Sequence, residues 1–240
     1  MNIQVVIAAG GYGVRMKPVL DKTPKILAPI KQHIETIPFL WLVLDRWQTF
    51  GCKSIHLLLG YGAAKIWKSV EEWKQKHKDN SELAISASIE PRLLGVMGAL
   101  HFAKSSLSDL FLLTYGDVYP TINPQQLLNN LKPSDEGCLA ICTQEIANEP
   151  ANVKLENNQI AKYTKHDLSM TYVDLGAILL RKSALKVLPK ELKYPLNEQD
   201  LFGPLATRRT LSVYKHTKPS YHVGDPEAYY RFKSKEVINA

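Results

Sequence analysis

Short apolar runs alternate with amphipathic stretches through the first half of the chain, and this alternation limits the fold more than any other feature. Four runs have the length of buried strands: residues 3–8, 54–59, 83–89 and 110–115. Two helical stretches, 38–51 and 63–77, lie between them, and Ile66, Val70 and Trp73 share one face of the second. Repeated strand, helix and strand units predict an α/β fold with right-handed crossovers and a mostly parallel sheet. A ligand site is then expected beyond the C-terminal ends of the strands.

The pattern changes after Asp117. Residues 137–143, 151–165 and 171–180 are typical of strands, and the "ENNQ" segment at 156–159 predicts a turn inside the second of them. We therefore expect a Rossmann-like three-layer sandwich whose mixed sheet carries a small antiparallel extension. A chain of 240 residues with 45% hydrophobic content can form one large domain or two small ones, and we favour one domain over 1–240.

The charge of the chain favours an anionic partner without identifying it. The formal net charge is +7 and the isoelectric point is near 9.2. Binding of nucleic acid is disfavoured, because the four tryptophans fall in helical core patterns and no basic stripe is interleaved with exposed aromatic residues. Those tryptophans are Trp41, Trp47, Trp67 and Trp73. The charge alone leaves a membrane surface and phosphorylated metabolites both open as partners.

The cysteines and the apolar content predict a soluble, cytoplasmic protein. Cys52, Cys138 and Cys142 are odd in number and lack the paired spacing of a zinc site, which indicates reduced structural thiols. The N-terminus lacks the pattern of a signal peptide, and no window approaches the roughly twenty apolar residues that span a bilayer. The apolar helix at 38–50 leaves a homo-oligomer possible, although the core is its more usual place.

The segment "AAGGYGVRMKPVLDKTPK", residues 8–25, follows the first strand directly. Its glycines expose successive backbone N–H groups, which form a concave nest for phosphate oxygens. The dinucleotide fingerprint fails because Met16 stands where its third glycine is needed, and the P-loop triplet of glycine, lysine and serine or threonine is absent. Arg15 offers a forked donor and Lys25 a mobile charge for a polyphosphate. The alternative is a plain turn whose cations are solvated.

The stretch "GGYGVRMKPVLDKTPKILAPI" resembles the signature GGxGTRLxPxTxxxPKxLxPV of the sugar-phosphate nucleotidylyltransferases, with Val14 and Leu20 in place of its two threonines. Further segments resemble family motifs in the same order: "EPRLLGVMGAL", "LLTYGDVY", "YTKHD", "YVDLGAILL" and "YHVGDPEAYYRF". The resemblance covers nearly the whole chain and is greatest to the heptose 1-phosphate and mannose 1-phosphate guanylyltransferase branch. It implies a fold of the nucleotide-diphospho-sugar transferase type, with a nucleotide-binding half at 1–120 and a sugar-phosphate-binding half at 121–240.

The resemblance implies condensation of a nucleoside triphosphate with a sugar 1-phosphate, giving a nucleotide-sugar and pyrophosphate. Arg15, Lys25 and Asp117 would be the catalytic residues, since the reaction needs alignment and charge neutralisation rather than a covalent intermediate. GTP is favoured, because the carboxylate of Glu90 accepts hydrogen bonds from the ring N–H and amine of guanine. The implied nucleotide-binding residues are Ala8, Gly10, Gly11, Gly13, Arg15, Glu90 and Gly95.

The sugar phosphate and the metal would be held by the second half. Lys165, flanked by Thr164 and His166, would anchor the sugar phosphate. Asp174, Gly176 and Glu156 would lie near the sugar hydroxyls, although both carboxylates can equally be exposed charges.

The expected cofactor is Mg2+, with Mn2+ possible, held by Asp117 and by His222 or Asp225. His222 stands where the family has an aspartate, and imidazole is a poor ligand for magnesium. The alternative is that Asp117 only forms a turn, that His222 is a hydrogen-bonded polar residue, and that Asp225 caps a helix with Pro226 at its first position.

The product would serve synthesis of surface polysaccharides or other glycoconjugates. The departure at His222 supports a competing hypothesis, a catalytically weakened homologue that binds a nucleotide-sugar and regulates a partner enzyme.

Overall fold

A computed structural model describes residues 3–78, 82–164, 167–188 and 193–234. The strands are β1 (Gln4–Ala8), β2 (Pro29–Gln32), β3 (Glu35–Pro38), β4 (Ser54–Leu59), β5 (Ala84–Ile89), β6 (Leu110–Tyr115), β7 (Val118–Tyr119), β8 (Gly137–Thr143), β9 (Val153–Glu156), β10 (Gln159–Tyr163), β11 (Tyr172–Arg181), β12 (Leu211–Lys215) and β13 (Tyr221–His222). The α-helices are α1 (Lys17–Leu20), α2 (Phe39–Thr49), α3 (Ala63–Lys76), α4 (Val96–Phe102), α5 (Pro124–Asn130), α6 (Gln144–Ala147), α7 (Glu198–Thr207) and α8 (Pro226–Ser234). Short 3-10 turns cover Val14–Met16, Lys25–Leu27, Lys104–Ser106 and Lys182–Val187.

Among the described residues the central sheet has nine strands, and it is parallel on one side and mostly antiparallel on the other. Strands β6, β1, β4 and β5 are neighbours in that order and run parallel. Strand β11 joins the parallel set as an antiparallel partner of β6, and it also pairs antiparallel with β8. The β9–β10 hairpin and β12 complete the extension. The predicted mixed α/β sheet with an antiparallel extension is confirmed.

The predicted "ENNQ" turn is also confirmed. Asn157 and Asn158 both adopt positive φ angles, 49° and 59°, between β9 and β10. Asparagine tolerates this left-handed conformation, and two such residues in succession match the twist of a two-residue hairpin turn.

Two hydrophobic layers cover the two faces of the sheet. One layer packs α2 and α3 against β1 and β4, and Ile66, Val70 and Trp73 are fully buried there, as the helical spacing predicts. The other packs α4 and α7 against the opposite face, with Phe111 and Phe202 fully buried. The three-layer arrangement is therefore confirmed, and it fixes the strand ends that carry the site.

Helix α2 contributes to the core. Phe39, Leu40, Val43 and Leu44 have no exposed surface, and Trp47 is almost completely buried. Burial of these side chains excludes them from any interface with another chain. Within the described ranges no helix combines the length and the apolar character needed to cross a membrane.

The three cysteines are buried and free, as the sequence predicts. Removal from water raises the pKa of the Cys52 thiol to about 11 and that of Cys138 to about 12, because burial disfavours the thiolate. Such thiols are unreactive, which supports a structural role for them.

Candidate active site

A cavity of about 590 Å3 opens at the C-terminal ends of β1 and β6, where the strand pattern predicts a ligand site. Its lining brings together seven residues singled out from the sequence: Arg15, Lys25, Asp117, Asp174, Gly176, His222 and Asp225. Side chains from both halves of the chain therefore meet around one space. The volume lies within the usual range of small-molecule sites.

Lys25 and Asp117 form an ion pair in this cavity, with Nζ of Lys25 2.5 Å from Oδ2 of Asp117. Asp117 lies two residues after the end of β6. The Gly116 amide between them donates to the Ala8 carbonyl at 2.8 Å, so the pairing of β6 with β1 continues one residue past the strand and fixes the backbone next to Asp117. Lys25 begins the 3-10 turn after Pro24. The side chains are 25% and 13% exposed, so the pair faces the cavity from largely buried positions.

Arg15 reaches the same region from the glycine-rich loop. Gly13 precedes the 3-10 turn of Val14–Met16 and has a φ of +59°. A residue with a side chain adopts this φ only at a cost in free energy. A Cβ at Gly13 would contact the stem of Lys25 at 3.7 Å. The Arg15 side chain is 73% exposed, and its Nη1 lies 3.9 Å from Oδ2 of Asp225. This guanidinium is available to an incoming anion.

The turn at 221–225 is tied to Asp117 by the backbone. Strand β13 pairs with β7 through His222 and Val118, and the Val223 amide donates to the Asp117 carbonyl at 2.8 Å. A Cβ on Gly224 would come within 2.9 Å of Oδ2 of Asp117, so the turn lies directly against that carboxylate. Residues more than a hundred positions apart thus form one side of the cavity.

Asp225 has the capping role that the sequence offers as the alternative to metal binding. Its Oδ1 accepts from the Ala228 amide at 2.9 Å, and Pro226 is the first residue of α8. The other carboxylate oxygen, Oδ2, faces Arg15. Asp225 therefore caps the helix and still presents one oxygen toward the cavity.

Both ring nitrogens of His222 have partners. Nδ1 accepts from the Gly224 amide at 3.2 Å, and Nε2 lies 3.1 Å from Oε1 of Glu149. A carboxylate only accepts and an amide N–H only donates, so the ring carries its proton on Nε2. Neither nitrogen presents a lone pair to a metal in this arrangement.

The carboxylates fit a divalent cation better than the histidine does. Across the described ranges no group of three histidine, cysteine, aspartate or glutamate side chains forms a ready ligand set. Mg2+, however, is commonly held by one or two carboxylates together with substrate phosphates and water. Asp117 and Asp225 both line the cavity and supply oxygens of this kind. The donor set therefore fits magnesium carried in with a polyphosphate.

The inner end of the cavity is built on a bulge of β11. Its pairing with β8 shifts register between Asp174 and Ile178, and Gly176 within the bulge has a φ of +73°. Asp174 accepts from the Gly176 amide at 2.7 Å and from the Tyr163 hydroxyl at 2.9 Å. A Cβ on Gly176 would lie 3.1 Å from the Tyr115 ring. The bulge thus aims the Asp174 carboxylate into the cavity.

The sequence reasoning missed four polar residues of this inner end. Tyr115, Tyr163 and Glu198 line it, and the Asn152 side chain accepts from the Asp174 amide at 2.9 Å. Burial, together with the nearby carboxylates of Glu198 and Asp174, holds the pKa of Tyr115 well above its ordinary value, so its hydroxyl stays protonated and hydrogen-bonds Glu198. Tyr115 was detectable, because it ends the apolar strand directly before Gly116 and Asp117. Nothing comparable marks Glu198 or Asn152.

The expected nucleotide-binding residues gather beside this cavity, at the ends of β1, β4 and β5. Gly10 meets Glu90, whose Oε1 would lie 2.9 Å from a Cβ placed on Gly10, and Oε2 of Glu90 accepts from the Leu94 amide at 2.9 Å. Burial raises the pKa of Glu90. Gly11 has open space around it, and Gly95 packs against the backbone of Leu196. Ala8 ends β1, so all these residues share one edge of the sheet with the cavity.

One expected sugar-site residue, Glu156, is not brought to the cavity. Glu156 ends β9 on the surface, where its carboxylate pairs with Arg209 at 2.5 Å, so the exposed-charge alternative applies to it. Lys165 lies outside the described residues.

The sequence and the fold of this chain were compared with those of known proteins. No family model matches the chain. It is 28% identical over 232 residues to a probable glucose-1-phosphate cytidylyltransferase of Bacillus subtilis, covering 89% of this chain and 88% of that protein. It is 26% identical over 237 residues to a putative mannose-1-phosphate guanyltransferase of Sulfolobus acidocaldarius, covering 95% of this chain and 62% of that protein. In fold it is similar to HddC from Yersinia pseudotuberculosis complexed with GMP-PN, with a TM-score of 0.76, 22% identity and coverage of 96% and 98%.

The fold is that of the nucleotide-diphospho-sugar transferases, a mostly parallel mixed sheet between helical layers. Within that class the sequence relatives bear the names of sugar-1-phosphate nucleotidylyltransferases. These names agree with the family that the motifs resemble, so the resemblance to the sugar-phosphate nucleotidylyltransferases is confirmed.

Proposed function

We propose that this protein condenses a nucleoside triphosphate with a sugar 1-phosphate to give a nucleotide-sugar and pyrophosphate. The observation that carries the proposal is the Lys25–Asp117 pair at 2.5 Å, with Arg15 and Asp225 beside it at the open end of the cavity. Cations and carboxylates gathered at strand ends suit a polyphosphate that brings its own magnesium. The residues before about 120 would hold the nucleotide and those after it the sugar phosphate, within one domain.

The reaction needs attack by a phosphate oxygen of the sugar 1-phosphate on the α-phosphorus, with pyrophosphate leaving on the opposite side. In this scheme Arg15 grips the leaving pyrophosphate through its forked donors, and Lys25 neutralises charge that builds on the α-phosphate. The loop amides after β1 orient the triphosphate. Lys165 is proposed to anchor the attacking phosphate. These contributions are alignment and charge neutralisation, so no covalent intermediate forms.

The proposed cofactor is magnesium, with Asp117 and Asp225 as the residues that would hold it. When bound, it would neutralise the phosphate oxygens and polarise the reacting phosphorus. Lys25 would contribute its charge to the bound phosphates from its place beside Asp117.

We further propose GTP as the triphosphate and a heptose or hexose 1-phosphate as its partner, in the supply of polysaccharide or glycoconjugate precursors. Glu90 supports guanine, because a carboxylate near Gly10 can accept two N–H groups from that base. The name of the Sulfolobus relative agrees with this choice, whereas that of the Bacillus relative favours CTP. CTP is therefore the competing nucleotide.

A pyrophosphate-release assay tests the proposal. The protein is incubated with each of four nucleoside triphosphates, a panel of hexose and heptose 1-phosphates, and magnesium or manganese. Product from one pair identifies base and sugar together. Triphosphate binding without turnover of any pair would instead support the regulatory homologue that the departure at His222 suggests.

A further inference from the structure

His222 occupies the position at which the resemblance predicts a metal ligand, yet its contacts give it another task. We infer that Glu149, His222 and the Gly224 amide form a hydrogen-bonded relay that positions the 222–225 turn, and that His222 is a positioning residue rather than a ligand for the metal. This inference rests on the proposed function for the identity of the bound phosphates.

The hydrogen-bond directions along the relay follow from its two ends, because a backbone amide N–H only donates and a carboxylate only accepts. Gly224 donates to Nδ1 of His222 at 3.2 Å, and Nε2 of His222 donates to Glu149 at 3.1 Å. A metal bound at Nδ1 would displace the Gly224 amide, and one at Nε2 would displace the ring proton that Glu149 accepts. Either event would break one link.

The relay joins two segments that are distant in the chain. Glu149 follows α6, at the edge of the sheet extension, whereas His222 and Gly224 lie on the turn that precedes α8. Both side chains line the main cavity and also a smaller cavity of about 170 Å3 behind them. Their contact is therefore part of the wall between the two spaces. Without it the turn would lose its tie to the opposite wall.

The position of that turn matters for the phosphate end of the site. Gly224 is so close to Asp117 that a Cβ there would lie 2.9 Å from Oδ2, and 3.7 Å from Nη2 of Arg15. Asp225, the next residue, faces Arg15 at 3.9 Å. A small displacement of the turn would therefore change the distance between the carboxylates and the guanidinium. We expect the relay to affect triphosphate affinity and turnover through this geometry.

Three substitutions separate the links of the relay. His222→Asn keeps an acceptor for Gly224 but loses the contact with Glu149, Glu149→Ala removes the same contact from the other side, and Glu149→Gln retains an acceptor for Nε2–H. We expect the first two to lower kcat/KM for the triphosphate about tenfold each, the value of one hydrogen bond. The pair His222→Asn with Glu149→Ala should be no worse than either alone, because both break one contact. Glu149→Gln should restore most of the activity, and the surface change Glu145→Ala should have no effect.

Metal binding gives the readout that separates positioning from ligation. Mn2+ is titrated into each variant at a GTP concentration that saturates that variant and is followed by electron paramagnetic resonance, with Asp117→Asn as the positive control. We expect the Mn2+ dissociation constant to stay within about twofold of the wild type for His222→Asn, since no ligand is lost. A tenfold weaker Mn2+ affinity in His222→Asn would show that His222 is a ligand and would overturn the inference.

A nitrogen-15 NMR spectrum of labelled histidine tests the relay without any turnover. We expect His222, assigned by its loss in His222→Asn, to show the Nε2–H tautomer both before and after addition of Mg2+ and GTP. A change of tautomer on loading would contradict the relay. Because this measurement and the Mn2+ titration need no reaction, they decide the role of His222 even if no substrate pair is turned over, and failure of the proposed reaction would be recognised separately.

Discussion

Nζ of Lys25 lies 2.5 Å from Oδ2 of Asp117, although 92 positions separate the two residues along the chain. Lys25 comes from the loop after the first strand and Asp117 from the end of β6, and the parallel pairing of β1 with β6 brings them together. The opposite charges of the two side chains offset each other across this short distance.

Replacing either member of this pair should abolish most of the activity. We expect Lys25→Ala and Asp117→Asn each to lower kcat about 100-fold to 1,000-fold, because each removes one preorganised charge from the reacting phosphates. The rate is measured by pyrophosphate release, and circular dichroism melting checks that both variants fold. Lys53→Ala breaks only an exposed ion pair with Glu82 and serves as the control. Near-normal turnover in Lys25→Ala would rule out its assigned role.

Arg15 should matter more for the triphosphate than for the sugar phosphate. We expect Arg15→Ala to weaken triphosphate binding about tenfold or more, with Arg15→Lys recovering only part of it, since a lysine lacks the forked donors. Calorimetric titration with a nucleoside triphosphate and with the corresponding monophosphate measures the difference. Equal losses for both nucleotides would contradict a contact with the outer phosphates. Arg209→Ala, on the surface beside Glu156, provides the matched control.

Glu90 gives a pH-dependent stability with a defined sign. Burial raises its pKa above the ordinary 4.5, so its contribution to stability is fully present below that value and is lost as the pH rises through the higher, folded-state pKa. Glu90→Gln removes this dependence and keeps an acceptor for the Leu94 amide, so the variant should gain stability relative to the wild type between about pH 4 and pH 7. Urea unfolding at both pH values measures the difference.

Glu156 supplies the opposite control for that experiment. Its hydrogen bond and charge contact with Arg209 lower its pKa, so its contribution is present above the ordinary glutamate pKa and is lost as the pH falls. Glu156→Gln should therefore lose stability relative to the wild type as the pH rises. The effect will be small because the pair is exposed. The same trend in both variants would contradict the Glu90 assignment.

Asp174 and Glu156 should differ clearly in their effect on the sugar substrate. We expect Asp174→Asn to raise the KM for the sugar 1-phosphate about tenfold or more while the affinity for the triphosphate stays unchanged, because the Asp174 carboxylate lines the inner end of the cavity. Glu156→Gln should leave both constants unchanged, since Glu156 pairs with Arg209 on the surface. Steady-state kinetics with each substrate varied in turn makes the comparison. A sugar-specific effect at Glu156 would reverse this assignment.

Gly176 should resist substitution for reasons of backbone geometry. Its φ of +73° disfavours any residue with a Cβ, and an added Cβ would lie 3.1 Å from the Tyr115 ring. We expect Gly176→Ala to lower the free energy of unfolding by about 1–3 kcal/mol. Gly11→Ala is the matched control, because Gly11 has no heavy atom near the added Cβ and no positive φ. A difference below about 0.5 kcal/mol between the two variants would contradict the strain argument.

The sequence was sufficient where the pattern is local. Strand and helix periodicity predicted the parallel sheet and the buried face of α3, and the two asparagines predicted the hairpin turn, because these depend on neighbours within a few residues. The glycines and cations after β1 predicted a phosphate-binding loop, and the proposed site keeps that prediction. The helix cap at Asp225 was one of two alternatives that the sequence left open, and it could be named because capping depends on residues next to it in the chain.

Only the tertiary structure decided which distant residues meet. The ion pair of Lys25 with Asp117, the relay from Glu149 to His222 and the inclusion of Glu198 all depend on strand order and on loops crossing the same sheet edge. Glu156 is the opposite case: the sequence predicts it near the sugar, but the structure places it on the surface, where it pairs with Arg209. Local sequence fixes which groups a segment offers. The packing of segments distant in the chain fixes which of those groups share a cavity, because hydrogen bonds and ion pairs act over only a few ångströms.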